Sequence, residues 1–391
     1  MDSKTNEIKQ IRIAILQRVC PNYRRALFKE LSIHDRLEMK LFIGEDVPNS
    51  KVKNDKDLTG INLVRLQTRF INFFSRTLVF HKDLVSKLKA YNPDVILCEG
   101  ESHFLGYVQA IYYRIVYNKR VALMHWCFIS LPGESVNRLS FRNLIKKYFR
   151  NFFDAFVVYS KYSKDCLIEL GQPSDKIFIA TNVGDVKKHL LAADSIKESP
   201  CEARRKLNLP ERFTVLYLGT LDENKHPDLI LDIARKSNPE LFNFLIIGSG
   251  PLINSLRIEA EQYGLNNVYI PGRVVENLPI YCRASDVLII PGRGGIVISE
   301  AMTYGIPIVV HQADGTEYDL VENGVNGFRV INGDVETFKK ALDFLLDNPD
   351  TKIQMGAEGK RLVQTRFTTK NMVESISKAA EFAIRVRTKR K

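Results

Sequence analysis

No run of about twenty apolar residues occurs in the 391-residue chain, so a membrane-spanning helix is not expected to organise it. Its six cysteines (Cys20, Cys98, Cys127, Cys166, Cys201, Cys282) lack paired spacing, which argues against a zinc knuckle or a disulfide framework. Several lie in apolar runs, as small buried thiols do, and a reducing compartment suits all of them. There is one tryptophan, Trp126, no tandem repeat and no low-complexity block. The opening residues are polar and lead into a strand pattern, unlike a signal peptide, so the expected location is cytoplasmic. Acidic residues are outnumbered, 45 against 57 basic ones, for a net charge of +12. Nucleic acid, anionic lipid or a phosphorylated substrate would each suit that balance. The densest basic run, residues 385–391, reads as a solvated tail. Asp55 and Asp57 form a carboxylate pair in a very polar loop and read as solvent-facing, so no metal is expected.

The most informative stretch present is residues 286–307. An apolar run, Val287 to Ile290, enters the turn Gly292-Arg293-Gly294-Gly295, and a helical pattern follows at once. Glu300 lies in its first turns, and Gly305 with Pro307 stops it. The first N–H groups of a helix lack internal partners, and the dipole there favours negative charge. Glycine lets that backbone approach a phosphate. A carboxylate further along the helix cannot bind phosphate, but it can accept hydrogen bonds from a ribose diol. The segment looks built for a nucleotide diphosphate.

At this length two domains are the default. Short strand-like runs at residues 12–16, 39–43, 62–66, 94–98, 120–125, 155–159 and 177–181 alternate with helical patterns such as 23–31 and 104–117. Many are continuous apolar runs, which suit a parallel sheet buried on both faces. Residues 186–210 are polar and read as a linker plus a short helix. The alternation then restarts, with strands at 213–219, 242–248, 267–271, 286–291 and 306–311. Helices are expected at 227–236, 251–263, 277–284, 297–304 and 335–347, and a last one from 369 to about 385. The expected division is 1–190, a linker 191–210, a second doubly wound unit 211–367, and a helix with basic tail 368–391. Ligands in open α/β sheets bind beyond the carboxyl ends of the strands, where Thr220, Gly248, Gly250 and the 292–295 turn fall.

Residues 214–367 resemble the retaining nucleotide-sugar glycosyltransferases of family 4. The matching stretches are TyrLeuGlyThrLeuAspGluAsnLysHis, IleIleGlySerGlyProLeu, AlaSerAspValLeuIleIleProGly, SerGluAlaMetThrTyrGlyIleProIleValVal and ValGluAsnGlyValAsnGlyPhe, in family order. The resemblance implies the GT-B fold, an α/β architecture of two Rossmann-like doubly wound domains facing a central cleft. The first half is less diagnostic, although residues 17–31 resemble the opening of members that build polysaccharides.

By this resemblance Lys225 faces the donor diphosphate, Glu300 the ribose, and Arg273 with Val274 the nucleobase, largely through backbone atoms. Gly292, Arg293, Gly294, Gly295 and Val297 line the turn and helix start. The family's first glutamate would fall at Gly292 and is absent, and its usual arginine is replaced by Thr220. In the first half, His125 matches a family histidine that hydrogen-bonds the donor sugar; a core histidine is the competing reading. Asn22, Tyr23, Glu99, Glu101 and Ser102 follow strand ends and are the expected acceptor contacts.

Two basic, aromatic segments remain: residues 138–153, at helical spacing, and Arg69-Phe70 through Phe73, Phe74 and Arg76, read as a loop or short helix. Core packing and docking on anionic lipid stand open for the first. The implied activity is transfer of a sugar from a UDP- or GDP-sugar to a lipid-linked or saccharide acceptor, without cofactor or metal. Rival readings are a nucleotide-sugar 2-epimerase on the same fold and a non-catalytic nucleotide-sugar-binding subunit. Nucleic-acid binding lacks any recognition motif.

Overall fold

The computed structural model describes residues 10–389 except 49, 51, 74, 75, 101, 102, 130–146, 312 and 313. Two compact units emerge. The first contains the described residues up to Thr181 together with those from Thr369 onward, and the second contains Asn182–Thr368.

The first unit is built on strands β1 (Ile11–Gln17), β2 (Leu37–Ile43), β3 (Leu63–Arg65), β6 (Val95–Glu99), β7 (Ala122–Cys127), β8 (Ala155–Val158) and β9 (Ile177–Ile179). They form one parallel sheet in the order β3-β2-β1-β6-β7-β8-β9. All seven expected strands are present. Their uninterrupted apolar character follows from burial on both faces. Ile13 and Ile15 enter one core with Trp126 and Leu97, while Ala14 and Leu16 enter the opposite core with Phe156 and Leu123.

The segment 69–76 departs from expectation. Strands β4 (Thr68–Phe73) and β5 (Arg76–His81) pair antiparallel as a separate two-stranded ribbon, not a loop or short helix. The terminal helix, Thr369–Lys389, is integral to the first unit. Its buried Met372, Val373, Ile376, Ala379, Ala380 and Ala383 pack on that sheet, and Arg36 pairs with Glu374 and Glu381 at 2.6 and 2.9 Å. The basic end is helical through Lys389, and Arg387 donates to the Lys119 carbonyl.

The second unit carries β10 (Phe213–Leu218), β11 (Phe242–Ile247), β12 (Val268–Gly272), β13 (Val287–Ile290), β14 (Ile308–Val310) and β15 (Gly327–Arg329), in the parallel order β12-β11-β10-β13-β14-β15. The sixth strand and the helix Pro349–Thr365 were not expected from sequence. The expected linker is also corrected. Val186–Ser195 and Pro200–Lys206 are helices of this unit. Asp185 caps the first, and a Ser199–Glu202 capping box starts the second. Arg204 then ties that helix to the sheet through Asp286 at 2.5 Å and the Ala284 carbonyl at 3.0 Å.

A buried histidine pair fixes the ribbon to the first unit. His81 Nε2 and His103 Nε2 are 2.7 Å apart, and His81 Nδ1 lies 3.2 Å from Thr68 Oγ1. Burial pushes His81 down to about 4 and His103 well below its ordinary value. The unfolded chain therefore takes up protons first, and this contribution to stability is full above about 6.5 and is lost as pH falls toward 4. Urea denaturation should show a lower midpoint at about pH 5 than at about pH 7, with a smaller drop in His103→Gln. An equal drop in both proteins would assign the acid sensitivity elsewhere.

Candidate functional site

In the second unit, the carboxyl ends of β10, β11 and β13 bring three loops together. Gly248 and Gly250 serve this interlocking. A Cβ at Gly248 would stand 1.8 Å from the Gly219 carbonyl oxygen, and one at Gly250 would stand 2.2 Å from that of Leu221. Both glycines are thus explained by backbone packing, with Leu221 N–H donating to Ser249 O. Thr220 is half-buried and accepts the Tyr217 hydroxyl through its carbonyl at 2.9 Å.

The 292–295 turn is laced to the Lys225 turn. Arg293 N–H donates to Asn224 O at 3.1 Å, and Lys225 Nζ donates to Arg293 O at 2.5 Å. Gly292 is where the two meet. A Cβ there would lie 2.6 Å from Asn224 O and 2.8 Å from Lys225 Cα. The absent glutamate is therefore incompatible with this loop arrangement. Lys225 Nζ also lies 3.6 Å from where a Gly294 Cβ would stand.

The helix that follows spans Gly295–Thr303, and its N-cap residue, Gly294, has no side chain with which to cap it. Lys225 thus stands beside a helix N-terminus, a favourable setting for an anion. Burial lowers the Lys225 pKa, opposed by Asp222 and Asp314. Asp314, which the sequence reading did not single out, reaches this turn: its Oδ1 lies 2.2 Å from the Cβ position of Gly295 and accepts the Thr316 hydroxyl. Arg293 is exposed, and Val297 is half-buried beside Gly294. Arg273 is exposed after β12, and Val274 packs partly on the core.

Glu300 lies against Gly184 and His189. A Cβ at Gly184 would lie 2.7 Å from Glu300 Oε1, and Gly184 N–H donates to Ser299 Oγ at 3.0 Å. His189 stands beside it, with Nε2 3.6 Å from Glu300 Oε1 and Nδ1 3.4 Å from the Tyr304 hydroxyl. Burial raises Glu300 to about 7; Lys188 opposes this and Asp185 adds to it. Burial lowers His189. The sequence reading missed His189. The available signal was Asp185 as an N-cap followed by ValLysLysHisLeu.

In the first unit, Asn22 and Tyr23 are exposed in the short turn after β1. Glu99 ends β6 and accepts Arg18 N–H; burial raises its pKa, with Arg24 and Arg18 opposing. Glu101 and Ser102 lie outside the described residues. His125 is buried, stacked on Phe153 at 4.7 Å and edge-on to Tyr107 at 5.7 Å. That packing suits the competing reading, a core histidine. Asp55 and Asp57 share Arg25 at 3.2 and 3.0 Å, so Asp55, only 13% exposed, is not the solvated carboxylate expected. Of the basic helix 138–153, residues 138–146 lie outside the described residues. Phe149, Phe152 and Phe153 pack into the core and Arg150 is buried, while Tyr148 is exposed. Among the described residues no helix is long and apolar enough to cross a membrane.

Two Rossmann-like units define the class of architecture, the GT-B fold. It is shared with HepE of Anabaena, solved in complex with UDP, at TM-score 0.73 and 18% identity over 95% of this chain and 100% of that one. Residues 201–362 match the family described as glycosyl transferases group 1. An uncharacterized glycosyltransferase of Haemophilus influenzae is 29% identical over 181 residues, 44% of this chain and 50% of that protein. The O-antigen chain mannosyltransferase C of Escherichia coli is 25% identical over 167 residues, 41% of this chain and 44% of that protein. The chain thus spans about half the length of these curated relatives, 50% and 44%.

Proposed function

We propose that the protein is a retaining, metal-independent glycosyltransferase. It moves a sugar from a UDP- or GDP-sugar to a lipid-linked or saccharide acceptor. The observation that carries this reading is the pairing of Lys225 with the glycine turn at the start of the Gly295–Thr303 helix, which also bears Glu300. The ammonium and the first N–H groups would stabilise charge on the departing diphosphate, and Glu300 would accept the ribose hydroxyls. The acceptor oxygen would bond to the anomeric carbon as the bond from that carbon to the phosphate oxygen breaks. The acceptor's proton would pass to the departing phosphate, so no enzyme nucleophile is required.

The UDP and UDP-glucose complexes of HepE support a nucleotide-sugar donor. The O-antigen mannosyltransferase supports a surface-polysaccharide acceptor. An acceptor carried on lipid would bring the protein to the cytoplasmic face of a membrane. Calorimetric titration with UDP and GDP tests the donor half. Glu300→Gln should weaken the preferred nucleotide about tenfold, the scale of a hydrogen bond to a charged acceptor. Because the carboxylate form is the better acceptor and its pKa is about 7, wild-type affinity should rise from about pH 6 to about pH 8. The variant should not show that rise. Equal affinity and equal pH dependence in both proteins would remove Glu300 from the site.

A further inference from the structure

The first unit holds buried polar groups that its fold does not use. β1 and β6 are neighbours in the sheet, yet the chain passes from β1 to β2 and β3 on the other side, so the β1–β6 boundary is the topological switch point. Ligand sites of open parallel sheets lie beyond the strand ends at such a point. Gln17 stands one step past the Leu16–Cys98 pair, level with Glu99, and Glu99 is in register with Trp126. Residues in register on adjacent parallel strands share a face, so Gln17, Glu99 and Trp126 form one row. Arg24, from the turn after β1, lies over the Trp126 ring at 4.4 Å and over Tyr159 at 5.4 Å, and donates through Nη2 to the Tyr159 hydroxyl.

Four side-chain atoms here are buried without a hydrogen-bond partner among the described residues: Gln17 Nε2, Gln17 Oε1, Arg24 Nη1 and Trp126 Nε1. Gln17 is fully buried and Trp126 is 1% exposed. Buried polar groups are ordinarily paired, and a group of them on one face calls for a specific partner. Three of the four atoms are donors, and one belongs to a cation. We propose that this row is a binding site for an oxyanion, the phosphate group of a phosphorylated acceptor. Arg24 supplies charge and a donor, Trp126 and Gln17 supply the other donors, and Glu99 tempers the affinity. The acceptor assignment rests on the transfer reading; the oxyanion site does not.

Trp126 is the only tryptophan of the chain, so intrinsic fluorescence reports this row directly. Titration of the full-length protein with inorganic pyrophosphate should give a saturable change in emission. Arg24→Ala should weaken that response at least about tenfold, Gln17→Leu should weaken it less, and Glu99→Gln should strengthen it. Arg24→Lys, which keeps the charge, should fall between wild type and alanine and replaces the alanine variant if that fails to fold by circular dichroism. Lys225→Ala should leave the response intact. A response to geranyl diphosphate stronger than to pyrophosphate would identify lipid-borne phosphate as the source; the reverse order would identify a soluble phosphorylated acceptor. The proposal is overturned by no response in the wild type, by an equal response to uncharged maltose, by survival of the response in Arg24→Ala, or by its loss in Lys225→Ala. UDP calorimetry on the same preparation separates the two ideas. UDP binding with silent Trp126 removes only the oxyanion site, whereas a pyrophosphate response without nucleotide binding removes only the donor reading.

Discussion

Lys225→Ala should lower sugar transfer by about 10²–10³-fold, the cost of removing one preorganised donor from developing charge. The ammonium is held in place by the Arg293 carbonyl at 2.5 Å, beside the start of the Gly295–Thr303 helix. Asp222 and Asp314 favour its charged form against the effect of burial. The side chain belongs to a three-residue turn outside the sheet, so the variant should fold with little change in stability. Steady-state kinetics with radiolabelled donor would check this, and the loss should fall mainly in kcat, because the leaving group gains its charge in the transition state. Turnover equal to wild type would strip Lys225 of its role.

Gly292→Glu should be harmful, although it restores the glutamate that the resembling family carries. Any Cβ at this position meets Asn224 O at 2.6 Å and Lys225 at 2.7–2.8 Å, contacts with backbone atoms that cannot swing aside. The expected cost is about 1–3 kcal/mol of stability, the scale of overpacking, together with displacement of Lys225 and lower activity. Gly292→Ala should show the same loss of stability, which separates the backbone clash from the added carboxylate. Thermal denaturation and transfer assays on both variants test this. A glutamate variant of unchanged stability and raised activity would mean that the two turns separate readily and that the family's site geometry is available here.

The parallel strands were legible because each is a continuous apolar run, the pattern that burial on both faces requires. β15 was not, because three residues, Gly327–Arg329, carry no periodicity. The helix Pro349–Thr365 was hidden by Gly356 and Gly359. The structure explains Gly356 by close packing, since a Cβ there would meet the Gly305 carbonyl oxygen at 2.0 Å. The ribbon Thr68–His81 was obscured because its aromatic and cationic residues suggested a surface patch.

Within the site, Glu300 and the 292–295 turn could be named from local sequence, because a strand, a glycine turn and a helix start are contiguous, whereas Lys225, 67 residues before Gly292, was implied by the family resemblance. Their neighbours could not. His189 and Gly184 reach Glu300 from 111–116 residues earlier in the chain, at and just before a polar stretch that suggested a linker plus a short helix. The absence of a glutamate at position 292 was visible, but its cause was not. The close approach of the Lys225 turn is a tertiary contact. For His125 the strand-end position was legible, but its packing against Phe153 and Tyr107 was not, because both are tertiary contacts.

The central claim is that the second unit binds a nucleotide sugar through Lys225, the Gly295–Thr303 helix and Glu300. Thermal-shift titration against UDP, GDP, dTDP, CMP and ADP sugars, without added metal, tests it most directly, since a ligand of the native state raises the melting temperature. The account predicts saturable stabilisation by UDP- or GDP-sugars and its loss in Glu300→Gln and Lys225→Ala. No stabilisation by any of these donors, or an equal shift in wild type and both variants, would contradict it.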